Sequence, residues 1–160
     1  MLIFKKTKCD AVKIESNGKN FDIIKSLVKI GIPVMGHIGF TPQYYKTFKA
    51  QGLVEKERIK LINQAIKIEK AGAFSLVLEC VKKSVAKDIT KILKIPTIGI
   101  GASNYCDGQI LVTDDMLGLS GFYPRFVKKF ARLDNIIEKS IQKYKKAVLN
   151  KNFPNNKNNY

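Results

Sequence analysis

The chain has 160 residues, 45% of them hydrophobic, and a formal charge of +16 from 29 Lys and Arg against 13 Asp and Glu. That length suits one ordinary domain with a buried core, and the hydrophobic share excludes a chain held disordered by low hydrophobicity. No apolar run approaches the roughly 20 residues that span a bilayer. The lysines Lys5-Lys6 follow the short apolar start Met1–Phe4 instead of preceding a longer one, so no export signal is read and the cytoplasm is the expected compartment. The basic residues are nearly all lysine, dispersed along every helical stretch beside abundant Asn and Ile. No aromatic platform interleaves with them, so the charge reads as compositional drift, and neither a specific nucleic acid nor a membrane is expected as a partner. Cys9, Cys80 and Cys106 form no CxxC pair and read as small packed hydrophobes.

Short β-branched runs alternate with amphipathic stretches, the pattern of βα units on a parallel sheet. The first strand is expected over Ala11–Glu15, followed by a helix from about Asn20 that turns Ile24, Leu27 and Val28 to one face and stops at Gly31. A second strand spans Ile32–His37, with Pro33 at its tolerant start. A long helix follows over 54–71, its register marked by Ile59, Ile62, Ile66 and Glu69. The third strand, Phe74–Leu78, runs straight into Glu79-Cys80-Val81. A helix over 84–93 is expected to face Val85, Ile89 and Ile92 inward. Pro96 opens a fourth strand over 97–101, and a fifth covers Gln109–Val112. A last helix is expected from Pro124, carrying Phe126, Phe130, Leu133, Ile137, Ile141 and Tyr144. These elements imply one domain over 1–148 and a disordered, Asn- and Lys-rich tail over 149–160. Five strands do not close a barrel, which needs eight, and an open doubly wound sheet is an equal reading of this pattern.

In parallel α/β folds chemistry gathers at the carboxyl ends of the strands. Lys13 and Glu15 alternate at the end of the first strand and so share one face. His37, the sole histidine, closes the second strand, and Glu79 the third. A lysine, two carboxylates and a histidine placed together suit an anionic substrate held through a hard cation such as Mg²⁺. Each alone has a plainer reading, as a solvated rim charge or a hydrogen-bonded structural histidine. Glu79 is the exception, because it follows a wholly apolar strand where partial desolvation would raise its pKa toward that of a useful base. Gly99-Ile100-Gly101 lacks the third glycine and the long helix of a dinucleotide site, and reads as a close approach or sharp turn.

The run Gly31-Ile32-Pro33-Val34-Met35-Gly36-His37-Ile38-Gly39-Phe40-Thr41-Pro42-Gln43 resembles the signature of ketopantoate hydroxymethyltransferases. Further blocks agree in order: Asp10–Glu15, Ala71–Val81, Ile95–Ala102, Cys106–Gln109 and Asp115–Leu119, so the likeness runs from Leu2 to about Val148. The resemblance implies a (β/α)8 barrel of the phosphoenolpyruvate/pyruvate type and a large homo-oligomer. It implies transfer of a hydroxymethyl group from 5,10-methylenetetrahydrofolate to 3-methyl-2-oxobutanoate, giving 2-dehydropantoate for pantothenate and coenzyme A. By the same match, Mg²⁺ polarises the keto acid, Glu79 is the base at C3, and Glu15 is a metal carboxylate. Lys13 meets the negative charge of the keto acid, and His37 lies near the new hydroxymethyl group.

The likeness also has a departure. Family members carry about three further βα units before the block that begins here near Leu2, out of the eight of a barrel. Those units bring an Asp-Ser pair and a second metal-site Asp. The sequence therefore resembles about five of eight units with one of three metal carboxylates. Either a complementing N-terminal fragment completes the transferase, or the chain is a remnant of it, inactive or reused as a basic binding protein.

Overall fold

Five short strands alternate with helices in the computed structural model, which describes residues 6–45 and 47–159. The apolar start Met1–Phe4, including Leu2, and Tyr160 at the end of the tail lie outside the described residues. The chain divides into two units, 1–110 and 111–160. The first holds β1 (Val12–Glu15), α1 (Phe21–Lys29), β2 (Val34–Gly39), α2 (Glu55–Lys70), β3 (Ser75–Glu79), α3 (Lys83–Ile92), β4 (Thr97–Ile100) and β5 (Gly108–Gln109). All neighbouring strands are parallel, and their spatial order repeats the chain order. A doubly wound sheet reverses its order at a switch point. This sheet never reverses, so each βα unit is laid beside the last, as in a (β/α)8 barrel, and the five strands form part of one.

The register sorts the side chains by chemistry. Glu15 pairs with His37 and Gly39 with Glu79, so these residues, with Lys13 and Val77, share one face of the pleat. Val34, Ile38, Leu76 and Leu78 point the other way. There they meet Ile24 of α1, the Leu61, Ala65 and Ile68 stripe of α2, and Val85 and Ile89 of α3 in one core cluster. Gly36 lies on that helix-facing side, where a Cβ would stand 2.5 Å from the Ile68 side chain. The close seating of α2 on β2 therefore needs a glycine.

Local signals set most of the boundaries. Gly31, with φ +82, lets its own N–H and that of Ile32 bond back to the Val28 and Leu27 carbonyls and close α1. Pro33 has no N–H to give the ladder but its carbonyl accepts from Val12, so β2 begins one residue later and extends through Gly39. The Glu69 carboxylate accepts the N–H groups of Lys94 (2.6 Å) and Ile95 (3.2 Å), which fixes the entry to β4. Asp107 accepts both the N–H and the hydroxyl of Thr97, at 2.8 and 3.0 Å, and these bonds hold its carboxyl below the usual range.

Four expectations about elements need revision. Ile59 of α2 is exposed, because the buried stripe is 61, 65 and 68, with Ile62 and Ile66 only flanking it. Ile92 of α3 is exposed too, its place taken by Leu93 beside Val85, Ala86 and Ile89. The strand at 109–112 shrinks to Gly108–Gln109. Past the bond from Ile110 N–H to the Gly99 carbonyl, the chain leaves the ladder, with Ile110 and Val112 exposed. The helix expected from Pro124 begins only at Leu133.

In the second unit, α4 (Thr113–Leu117) ends on Gly118 in the left-handed region, and α5 spans Leu133–Leu149. Between them the N–H groups of Phe130 and Ala131 donate to the Met116 carbonyl, which ties this stretch to α4 and keeps it from winding into α5. After α5, Phe153 packs edge-on against Tyr144 with ring centres 5.6 Å apart. No helix among the described residues is long and apolar enough to cross a membrane.

Ile68 is fully buried where α2 meets the sheet. Ile68→Ala is expected to destabilise the first unit by about 2–5 kcal/mol, read as a fall in the urea midpoint. An unchanged midpoint would show that α2 does not carry the core.

Candidate active site

Three ionisable side chains meet at the carboxyl ends of β1, β2 and β3. Glu15 and Glu79 end their strands, while His37 stands two residues before the end of β2, between them. His37 Nε2 lies 3.1 Å from Glu79 Oε2, and Nδ1 lies 3.9 Å from Glu15 Oε1. The burial is nearly complete: His37 is 1% exposed, Glu15 9% and Glu79 13%. Neither ring nitrogen makes an aligned hydrogen bond. The 3.1 Å approach to Glu79 is thus a close polar contact off the line of the N–H, a looseness common in active sites without substrate. Lys13 shares their face but is exposed, and it makes no ion pair among the described residues.

A loop from Phe40 to Leu53, with Lys46 outside the described residues, holds the Glu15 carboxylate and the backbone at Glu79 in place. Gln43 N–H donates to Glu15 Oε2 at 2.9 Å, and Phe40 N–H donates to the Glu79 carbonyl at 2.8 Å. Farther along, Gln51 N–H donates to the Cys80 carbonyl (2.8 Å), and Lys82 N–H donates to the Gln51 carbonyl (2.9 Å). Phe40 stacks on Phe48 with ring centres 4.4 Å apart, giving the loop an apolar pin. Two backbone features mark where the chain is constrained. Gly39 has φ +97, and a Cβ there would run into the Glu79 carbonyl oxygen. Cys80 adopts φ +52 without being glycine, a costly conformation of the kind that gathers at functional sites. Burial, followed by the neighbouring Glu79 charge, pushes the Cys80 thiol up to about 11, so this cysteine is no nucleophile at neutral pH.

Among the described residues no three His, Cys, Asp or Glu side chains gather as a metal cage. Mg²⁺ retains several waters and takes one or two carboxylates together with substrate oxygens. Glu15 fits as one such ligand, since Gln43 engages only its Oε2.

The site therefore brings Glu15, His37 and Glu79 together and leaves Lys13 at its exposed rim. Sequence reasoning missed the loop that fixes them, because the backbone N–H of Gln43 carries no residue-type signal. Gly39 was the readable clue. The Gly99–Gly101 turn is structural: a Cβ on Gly99 would meet Gln109 and Cys106 at about 3 Å, and Gly101 has φ +60.

Residues 1–156 match the family model described as ketopantoate hydroxymethyltransferase. The chain is 49% identical to a 3-methyl-2-oxobutanoate hydroxymethyltransferase of Pelagibacter ubique, over 99% of this chain and 62% of that protein. It is 50% identical to 3-methyl-2-oxobutanoate hydroxymethyltransferase 2 of Zymomonas mobilis, over 99% of this chain and 59% of that one. A Thermosipho africanus protein named 3-methyl-2-oxobutanoate hydroxymethyltransferase is 49% identical, over 96% and 59%. The chain thus spans about three fifths of the length of the curated relatives it matches.

Gly39→Ala is expected to lower stability by about 2 kcal/mol or more, from the left-handed φ and the collision with the Glu79 carbonyl together. Chemical denaturation reads this directly. A variant as stable as the parent would show that the seam between β2 and β3 is not fixed at Gly39.

Proposed function

The chain belongs to the ketopantoate hydroxymethyltransferase family, and on that premise we propose that it acts in the transfer of a hydroxymethyl group to 3-methyl-2-oxobutanoate, with 5,10-methylenetetrahydrofolate as the one-carbon donor. The observation that carries this reading is the buried His37, both of whose ring nitrogens lack an aligned partner while two carboxylates flank it. A folded protein seldom leaves such a group unmet unless a substrate or water completes it.

The chemistry follows from the placement of each residue. Lys13, exposed at the rim, is free to meet the carboxylate of the keto acid. Glu79, at the end of an apolar strand and mostly out of water, takes the proton from C3. The electron pair left at C3 forms the new bond to the methylene carbon, and both bonds of that carbon to N5 and N10 of the donor break. Water supplies the hydroxyl group, and the two nitrogens take up the C3 proton and the second proton of the water. His37, its ring beside Glu79 and without an aligned partner, stands ready to meet the new hydroxyl. Glu15 would hold Mg²⁺ through a carboxylate oxygen, and the bound ion would draw electron density from the keto oxygen as a Lewis acid. Gln43 N–H keeps that carboxylate oriented.

The test is exchange of the C3 proton of 3-methyl-2-oxobutanoate in D₂O with Mg²⁺, followed by proton NMR. With a fragment supplying the missing N-terminal units, the completed assembly should catalyse exchange, and Glu79→Gln should slow it by about 10²–10⁴-fold, the usual contribution of a positioned base. Near-normal exchange in the variant would remove Glu79 from the role. No exchange by the completed assembly would overturn the functional reading itself.

A further inference from the structure

Asn20 stands where α1 begins, yet its side chain does not cap that helix. An asparagine at this position ordinarily turns its side-chain oxygen onto the first free N–H groups of its own helix, which is why the residue is favoured there. Here the side chain is spent elsewhere. Its Nδ2 donates to the Glu15 carbonyl oxygen and to the Tyr44 hydroxyl, each at 3.0 Å. A side-chain amide nitrogen carries two hydrogens, so one group serves both bonds. Asn20 therefore ties the end of β1 to the loop after β2.

The tie reaches the loop at the point that bears on Glu15. The N–H groups of Tyr44 and Tyr45 both donate to the Thr41 carbonyl, at 2.9 and 3.0 Å, and close a tight turn. Gln43, inside that turn, gives its N–H to Glu15 Oε2, and Tyr44, next in the chain, accepts from Asn20 through its hydroxyl. Two consecutive loop residues thus hold Glu15 twice. Gln43 grips the carboxylate, and Tyr44 reaches the main chain through Asn20.

Packing does not account for this seat. Tyr44 is exposed, and behind the turn lies a cavity of about 540 Å³ that the loop shares with α2. The Phe40–Phe48 stack pins the loop on either side of the turn and leaves the turn itself to its hydrogen bonds. The consequence for Glu15 is directional. With Oε2 taken by Gln43, Oε1 is the oxygen turned to His37, 3.9 Å from Nδ1. The last torsion of a glutamate is broad and two-fold, so a carboxylate without that N–H would exchange its oxygens freely.

We propose that Asn20 and Tyr44 are positioning residues for Glu15: their hydrogen bond seats the turn over 41–45, and the seated turn fixes which carboxylate oxygen is offered to the substrate and its cation. This rests on the role given to Glu15 above and adds two residues that act on it from outside the site.

Amide hydrogen exchange of the ¹⁵N-labelled full chain tests the seating. Tyr44→Phe removes the hydroxyl and Asn20→Ala removes the bridging amide, and each should speed exchange at Gln43 by about 2–10-fold, the worth of one such bond. The double variant should go little further than Asn20→Ala alone, since the two side chains share one bond. Exchange at Ile24, whose N–H donates to the Asn20 backbone oxygen, should keep its parental rate in Tyr44→Phe, because α1 is untouched. In the completed assembly, Tyr44→Phe should raise the Mg²⁺ concentration that gives half-maximal C3 exchange by a similar factor. The rate at saturating Mg²⁺ should stay near the parental one, because Glu79 keeps its place. Parental exchange at Gln43 in both variants would overturn the proposal, as would a Mg²⁺ half-point that does not move, or a saturated rate that falls with it. If the completed assembly gives no C3 exchange at all, the function proposed above fails, and the Gln43 amide alone decides whether Asn20 and Tyr44 seat the turn.

Discussion

The parallel pairing of β1, β2 and β3 is the constraint on which the rest depends. In such a ladder paired residues point the same way, so one register sends Val34, Ile38, Leu76 and Leu78 toward the helices and Glu15, His37 and Glu79 away from them. A slip of one residue would exchange the two sets, burying charge in the core and opening apolar side chains on the other face. Core packing and site assembly are therefore one event. The helices that bury Leu61, Ile68 and Val85 hold the register, and the register places the carboxylates.

That arrangement carries a cost at the site. His37 is buried with neither ring nitrogen in an aligned hydrogen bond, a costly placement for a polar group. Cys80 adds backbone strain immediately after Glu79. These costs persist because the surroundings over-determine the geometry. Phe40, Gln51 and Lys82 stitch the loop to the end of β3, Gln43 pins Glu15, and the Phe40–Phe48 stack closes the loop from within. The loop thus serves two purposes with one backbone. It orients the Glu15 carboxylate and fixes the backbone at Glu79, and its outer surface walls the neighbouring cavity.

Much of this was legible in the sequence, for identifiable reasons. Gly31 and Pro33 carry backbone restrictions that act locally, so α1 and the start of β2 fell close to where they were read. Glu79 was legible because a carboxylate ending a fully apolar strand is chemically out of place. The helix faces were harder. In α2 the apolar residues form two overlapping stripes, and only the sheet beneath decides that 61, 65 and 68 go inward while Ile59 stays out. Pattern alone also left barrel and doubly wound sheet equal, since the difference lies in spatial order and not in the residues of any one unit. The stretch 124–132 shows helical spacing, but the N–H groups of Phe130 and Ala131 are claimed by Met116, a partner that periodicity does not reveal. At the site, the ionisable side chains were visible and the backbone donors that hold them were not.

The most direct measurement uses the fact that the chain has a single histidine. With ¹⁵N-histidine labelling, His37 gives one imidazole spin system, which can be followed as 3-methyl-2-oxobutanoate is added in the presence of Mg²⁺. A saturable shift of both ring nitrogens, with Nε2 responding also to Glu79→Gln, is the result expected if the keto acid enters between Glu15 and Glu79. Ring signals that stay fixed while the keto acid saturates the protein would contradict it, and would place the substrate away from His37.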